Sequence, residues 1–226
     1  MSDLTFPDSS FTLRTASNDD LDDITRVHIE GFTEEPQVHY CYPFRQEYPE
    51  DHWKWTRKEY ESYLEQPLKY VVHVLESQNK IDGLVVSKTI VGLAVWNIAV
   101  LMEAHEKVDP AEKHRKDADK LHCEAFFGKA GQRFKTYFAE WAEEQVNLSS
   151  LVVHPDFRLR GGGTMLVNWG IAKAKDQGWP VTLCASPMGR FLYEYLHFKK
   201  IASEVVQVEG EEETLTSTVM ILFAKK

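Results

Sequence analysis

The stretch DFRLRGGGTML, residues 156–166, constrains the chain more tightly than any other. It follows an apolar run, VNLSSLVV, that reads as a strand, and leads into TMLVNWGIAKAKDQ, an apolar helix that stops at Gly178. Three consecutive glycines, Gly161, Gly162 and Gly163, let the main chain approach a ligand closely. Their N–H groups open the helix at the end where its dipole favours an anion. Arg158 and Arg160 add positive charge, and guanidinium forks match phosphate oxygens. The turn is a candidate phosphate site. The plainer reading is an exposed strand-to-helix turn with ordinary surface arginines.

Two common phosphate motifs are excluded. A dinucleotide fingerprint needs a third glycine where Leu166 stands and an acid about 20 residues on, where VTLCAS supplies none. A Walker loop ends in Gly-Lys-Ser/Thr, but Gly128-Lys129 is followed by Ala130.

Around the turn, FTLRTAS reads as a first strand and SNDDLDDITRVHIEGF as an amphipathic helix, with Leu21, Ile24, Val27, His28 and Phe32 at helical spacing. Thr33 to Pro49 is aromatic and proline-broken, and is expected to be a structured loop without a regular element before a helix in EDHWKWTRKEYESYLEQ. YVVHVLES and SKTIVGLAVWNIAV form a strand pair joined by QNKIDG. Residues 102–143 are expected to be a mostly helical insertion, carrying Phe127, Phe134, Phe138 and Trp141. The short helix RFLYEYL and a closing strand pair about EGEEET complete the order. The fold class is α+β, three layers, with a mixed, mostly antiparallel sheet of six to seven strands and helices on both faces. With 226 residues, 43% of them hydrophobic, a single domain over 1–226 is expected.

A net charge of −9, from 26 Lys+Arg against 35 Asp+Glu, opposes nucleic acid and anionic membranes and favours a cationic or neutral small partner. Cys41, Cys123 and Cys184 lack disulfide or zinc spacing and read as reduced thiols, so cytosol or nucleus is expected. MSDLTFPDSSF has no signal-peptide character. His39, Cys41 and His52 are too irregularly spaced for a metal set, and no metal is expected. HIE at 28–30 lacks the Pro-Cys-x-x-Cys of zinc deaminases. HWKWTRKEY mixes basic and aromatic residues, but it is also an amphipathic helix in an acidic protein.

Arg-x-x-Gly-x-Gly at Arg158, Gly161 and Gly163, preceded by LVVHP, resembles the GNAT superfamily of acetyl-CoA-dependent N-acetyltransferases, fungal members in particular. LVVHPDFRLRGGGTML, WGIAKAKDQGWPVTLCASPMGR and LYEYLHF fall in family order between Gln145 and Lys200. The likeness is weaker over 11–32 and 70–98, and absent from 33–66 and the insertion.

The resemblance implies a sheet splayed beside the turn, with the pantetheine of acetyl-CoA lying in the gap. Leu151 and Val153 N–H groups would then bind the acetyl carbonyl and pantetheine, with Leu151 the oxyanion donor. Leu159 to Thr164 (Leu159, Arg160, Gly161, Gly162, Gly163, Thr164) would hold the pyrophosphate, with Arg158, Val152 and Ser186 completing the cofactor set. Tyr193 would touch the cofactor and protonate the leaving thiolate. The strand glutamate of some members is Asn147 here, which orients water but accepts no proton; Glu30, His28 and His154 are the remaining candidates for a base. His197 stands where the motif has glycine, so positive φ is expected of a histidine.

The implied reaction is direct acetyl transfer to a primary amine of a small molecule or peptide, by a monomer or homodimer. Cys184 has no activating base beside it in sequence. The acceptor pocket would involve Glu30, Phe32, Tyr40 and Tyr42 with the insertion, taking an amine of polyamine or amino-sugar type. The alternatives are an inactive module that binds acetyl-CoA or CoA as a sensor or scaffold, and a structural protein whose turn is empty.

Overall fold

A computed structural model describes residues 11–81, 84–100 and 114–223. The elements are β1 (Phe11–Thr15), α1 (Leu21–Gly31), α2 (Pro36–Cys41), α3 (Pro49–Leu64), β2 (Tyr70–Ile81), β3 (Leu84–Asn97), α4 (Lys120–Arg133), β4 (Val146–Val153), α5 (Gly162–Gln177), β5 (Pro180–Ala185), α6 (Arg190–Tyr195), β6 (Lys199–Gln207) and β7 (Thr214–Phe223). Seven strands form one sheet in the order β1-β2-β3-β4-β5-β7-β6. Every neighbouring pair is antiparallel except β4 and β5, which run parallel.

Side-chain alternation along the strands sorts the core onto two faces. Val72, Val74, Leu93 and Val95 meet Leu21, Ile24 and Val27 of α1 and Tyr60 of α3. On the other face Leu75, Ala94 and Trp96 meet Leu166, Val167 and Ala174 of α5. A Cβ on Gly170 would fall 2.2 Å from the Trp96 ring, so the helix can come this close only where a residue has no side chain. A third cluster joins α2, α4 and the β6–β7 pair through Val38, Tyr40, Cys41, Cys123, Val206 and Leu215.

β1 is tied to the start of α1 by Arg14, which donates to Asp20 at 2.7 and 2.8 Å and to Glu76 at 2.7 Å. Both carboxylates are held below their usual range: Asp20 foremost by the Arg14 hydrogen bond, and Glu76 by Arg14 and Lys88, which outweigh burial.

Two sequence expectations need correction. Thr33 to Pro49 is not without a regular element, because Pro36 opens α2 from its first turn, where the missing proline N–H costs nothing. QNKIDG is mostly strand: pairing runs out to Ile81 and Leu84. The N-terminal stretch 1–10, residues 82 and 83, and 101–113 of the expected insertion lie outside the described residues. Beyond 113, α4 carries Phe126 and Phe127, followed by a wide helical turn at Phe134–Phe138. His197 does adopt positive φ, at 67°.

Candidate active site

β4 and β5 pair only from Val146 opposite Val181 to Leu148 opposite Leu183, and then part. β4 continues along β3 to Val153, with Ser149 as an extra residue in a bulge between the rungs Trp96–Leu148 and Val95–Ser150. The edge that faces the gap follows from one bond. His154 N–H donates to the Val91 carbonyl at 2.8 Å, towards β3. Main-chain groups alternate edges along a strand, so Val152 and Ser150 also point to β3, while Leu151 and Val153 point into the gap. The Val153 carbonyl accepts from Arg158 Nε at 3.0 Å on that side. A main-chain donor left without a partner away from water is costly, which makes the Leu151 and Val153 N–H groups candidate seats for an acceptor. Val152 does not join them: its side chain is buried under α1 against Gly31, which corrects its inclusion in the cofactor set.

The turn after β4 twists sharply. Leu159 has φ 59° and is fully exposed, and Gly161 has φ 83°. α5 then begins at Gly162, whose missing side chain makes room for Leu75: a Cβ there would come within 2.5 Å. First-turn N–H groups of a helix, here those of Gly162, Gly163 and Thr164, have no partner within the helix. The two arginines are not idle forks. Arg158 also donates to the Gly31 carbonyl, tying the end of α1 to the turn. Arg160 donates to the Asp156 carbonyl at 2.8 Å and lies over the Phe157 ring.

Beside the fork lies a cavity of about 540 Å³. Leu151, Asn147, Ser186 and Tyr193 line it at the fork, with Phe32 and Tyr42 from the α1–α2 region and Phe126, Phe127 and Phe134 from the α4 region. Glu30 and Tyr40 do not line it, contrary to expectation. Glu30 pairs with Arg26 and His154 on the outer side, since it lies about 200° around α1 from His28. Tyr40 is buried against His122, with ring centres 4.0 Å apart. His154 is held at this outer pair, so neither it nor Glu30 is presented to the cavity.

Tyr193 is buried, and burial together with Glu35 and Cys184 pushes its phenol above the usual range. Cys184 is pushed up chiefly by burial. Asn147 is engaged already: its amide donates to the Thr182 carbonyl and hydroxyl, and its oxygen accepts from Ser149 at 3.3 Å. His28 Nδ1 lies 2.7 Å from the Tyr60 hydroxyl, and burial above all holds its imidazole down to about 3.

Glu35, between α1 and α2, was not foreseen. Its Oε1 accepts from Ser186 Oγ at 3.1 Å, and burial raises its carboxyl against the opposing pull of Ser186 and Arg158. Among the described residues there is no His/Cys/Asp/Glu group of metal-binding size, and no helix is long and apolar enough to cross a membrane.

The seven-stranded mixed sheet with its helices has the fold of solved acetyltransferases, one of them titled a putative acetyltransferase of the GNAT family, which agrees with the fold the sequence resemblance implies. The chain is similar to a curated protein of Stachybotrys chartarum named an acetyltransferase, 26% identical over 217 residues that cover 95% of this chain and 92% of the relative. Among solved structures it is similar to the histone acetyltransferase HPA2 and related acetyltransferase of Corynebacterium glutamicum, with TM-score 0.58, 18% identity, and coverage of 94% of this chain and 95% of that one. It is similar also to the putative acetyltransferase YncA of Salmonella typhimurium, solved with its cofactor acetyl-CoA, with TM-score 0.54, 17% identity, and coverage of 96% and 95%. No family model matches the chain. The fold is thus one shared with solved acetyltransferases, and the curated relative is itself named an acetyltransferase.

Proposed function

We propose that this single-domain protein moves an acetyl group from acetyl-CoA directly to the primary amine of a small molecule or peptide, in the cytosol. The observation that carries the reading is the fork: β4 leaves Leu151 and Val153 N–H groups facing a gap, next to the glycine-opened start of α5. Such an edge fits the amide-bearing arm of coenzyme A, and the turn from Leu159 to Thr164 fits its diphosphate. Acetyl-CoA supplies the activated acyl group. An N–H at Leu151 facing a developing oxyanion is a kind of contact worth roughly 3–4 kcal/mol of barrier.

The chain's own residues then have to manage protons. An alkylamine of pKa about 10.4 is neutral in roughly one molecule in 2,500 at pH 7, a deficit near 4.6 kcal/mol. The departing thiolate must also be protonated. Tyr193 keeps its proton throughout the neutral range and lines the same cavity, so it serves as the acid. Cys184, with its thiol pushed up by burial, is a poor nucleophile, which supports direct transfer without an acyl-enzyme. The three cysteines are free, in keeping with a reducing compartment.

The test is a melting shift with coenzyme A. At 100 times the dissociation constant the ligand should add about 2.7 kcal/mol. Incubation of acetyl-CoA with a panel of primary amines should then give products heavier by one acetyl group. No shift and no acetylated product would sink the reading.

A further inference from the structure

The proposed transfer needs a group to take the ammonium proton, and Asn147 cannot be that group. We propose that Glu35 is: its carboxylate seats the acceptor's ammonium and accepts a proton from it, and the acceptor's body is apolar. The inference rests on the acetyl-transfer reading above and assigns the acceptor end of the same site.

Glu35 stands at the N-terminal end of α2, is 9% exposed, and lines the cavity. Its Oε1 takes the Ser186 hydroxyl, and Ser186 directly follows β5, at the lip of the fork. Its Oε2 is buried with no hydrogen-bond partner among the described residues. A buried carboxylate oxygen without a donor is costly, and an ammonium supplies one with the charge that compensates. Ser186 Oγ and the ring of Tyr193, the proposed acid, each lie 3.3 Å from where a Cβ on Gly189 would stand, so Tyr193 and the Glu35–Ser186 pair share one end of the cavity. The other groups facing Glu35 are Ser186 and the Arg158 cation, both of which favour its ionised form.

The competing bases on the wall fare worse. His28, at about 3, would hold a proton taken from an amine too weakly. Glu59, also raised chiefly by burial, accepts from the Tyr63 hydroxyl at 2.9 Å, and neither of its oxygens is a buried atom without a partner, as Glu35 Oε2 is. Burial moves Glu35 the other way from His28 and makes it a stronger base than an exposed carboxylate.

The rest of the cavity limits the acceptor's body. Rings of Phe32, Tyr42, Tyr63, Phe126, Phe127 and Phe134 line it. Arg115 on its wall is locked to Asp117, and Arg133 donates to Glu204 while keeping a buried Nη2 without a partner. An unpartnered guanidinium nitrogen repels a second ammonium. Of the two carboxylates on the wall, Glu59 is taken by the Tyr63 hydroxyl and Glu35 keeps an oxygen without a partner, so the wall offers one ammonium seat, and an amine with one ammonium on an aryl or alkyl body fits better than a polyamine.

The protons balance. The ammonium gives up two: one passes to Glu35 and on to water. The nitrogen forms its bond to the acetyl carbon, the carbon–sulfur bond breaks, and Tyr193 protonates the sulfur. The second nitrogen proton replaces the one Tyr193 gave.

The experiment compares wild type, Glu35→Gln and Glu35→Asp with acetyl-CoA and two probes, 2-phenylethylamine and spermidine. Coenzyme A melting shifts are measured on each protein, and calorimetry follows 2-phenylethylamine binding to the coenzyme A complex. The expected result is faster turnover of 2-phenylethylamine than of spermidine. Glu35→Gln should cost about 10²- to 10⁴-fold in kcat, lose the acidic limb of the pH profile, weaken amine binding and keep the coenzyme A shift. Glu35→Asp should retain part of the rate with the limb present, and it carries the test if the glutamine variant does not fold. Wild-type-like kcat in Glu35→Gln, preference for spermidine, or a coenzyme A shift with neither amine acetylated overturns the proposal. Absence of the coenzyme A shift in the wild type overturns the acetyl-transfer reading itself, and this proposal with it.

Discussion

The Asn147 side-chain amide donates to the carbonyl and hydroxyl oxygens of Thr182, at 3.2 and 3.1 Å, one rung before β4 and β5 separate. The Thr182 hydroxyl in turn donates to fully buried Gln145 at 2.9 Å, so the root of the fork is a closed polar network between the two strands. Asn147 is thus a fastener at the hinge of the gap.

Replacing Asn147 with alanine removes both bonds to Thr182. The expected loss is about 1–3 kcal/mol, read as a lower urea midpoint with an unchanged slope.

Gly170 faces a different constraint. Gly170→Ala drives a methyl into the fully buried Trp96 ring, and overpacking of this sort costs typically 1–3 kcal/mol. A calorimetric melting curve should show it, at roughly 2–4 °C for each kcal/mol in a chain of this size.

Tyr193→Phe keeps the ring and removes the proton. Acetyl transfer should slow by about 10²- to 10⁴-fold while the coenzyme A melting shift persists. A variant with undiminished kcat would remove Tyr193 from the role of acid.

His73 makes stability fall on mild acidification. Burial holds its imidazole down to about 4, against 6.5 when unfolded. Between those values the unfolded chain binds more protons than the folded one, so stability is present above about pH 6.5 and is lost as pH falls towards 4. His73 lies against Trp169 with ring centres 4.3 Å apart and the planes tilted by 44°, and a phenylalanine can take that place. His28, held down to about 3, acts in the same direction, so His73→Phe should lessen the dependence of the urea midpoint over this window without abolishing it, as followed by tryptophan fluorescence.

The parts of the molecule legible in advance are those whose physics is local. Glycines 161–163 between an apolar strand and an apolar helix announce a backbone turn wherever they occur, and helical spacing from Leu21 to Phe32 announces α1. α2 escaped because Pro36 looks like a break when its neighbours are unknown, although proline is at home in a first turn. Glu35 escaped for another reason: its meaning comes from Ser186, 151 positions away, and no periodicity singles out a lone glutamate. Glu30 and Tyr40 stand two positions from Phe32 and Tyr42, which do reach the cavity. Two steps along a helix carry a side chain to the opposite face, and that rotation is what separates Glu30 from His28.

Arg158 grasps the Gly31 carbonyl from 127 residues further along the chain. That single cross-brace welds the floor of the proposed nucleotide seat to the helix that walls the proposed amine chamber. Any influence that one guest exerts on the other through this brace is reciprocal, the same factor in each dissociation constant whichever came first.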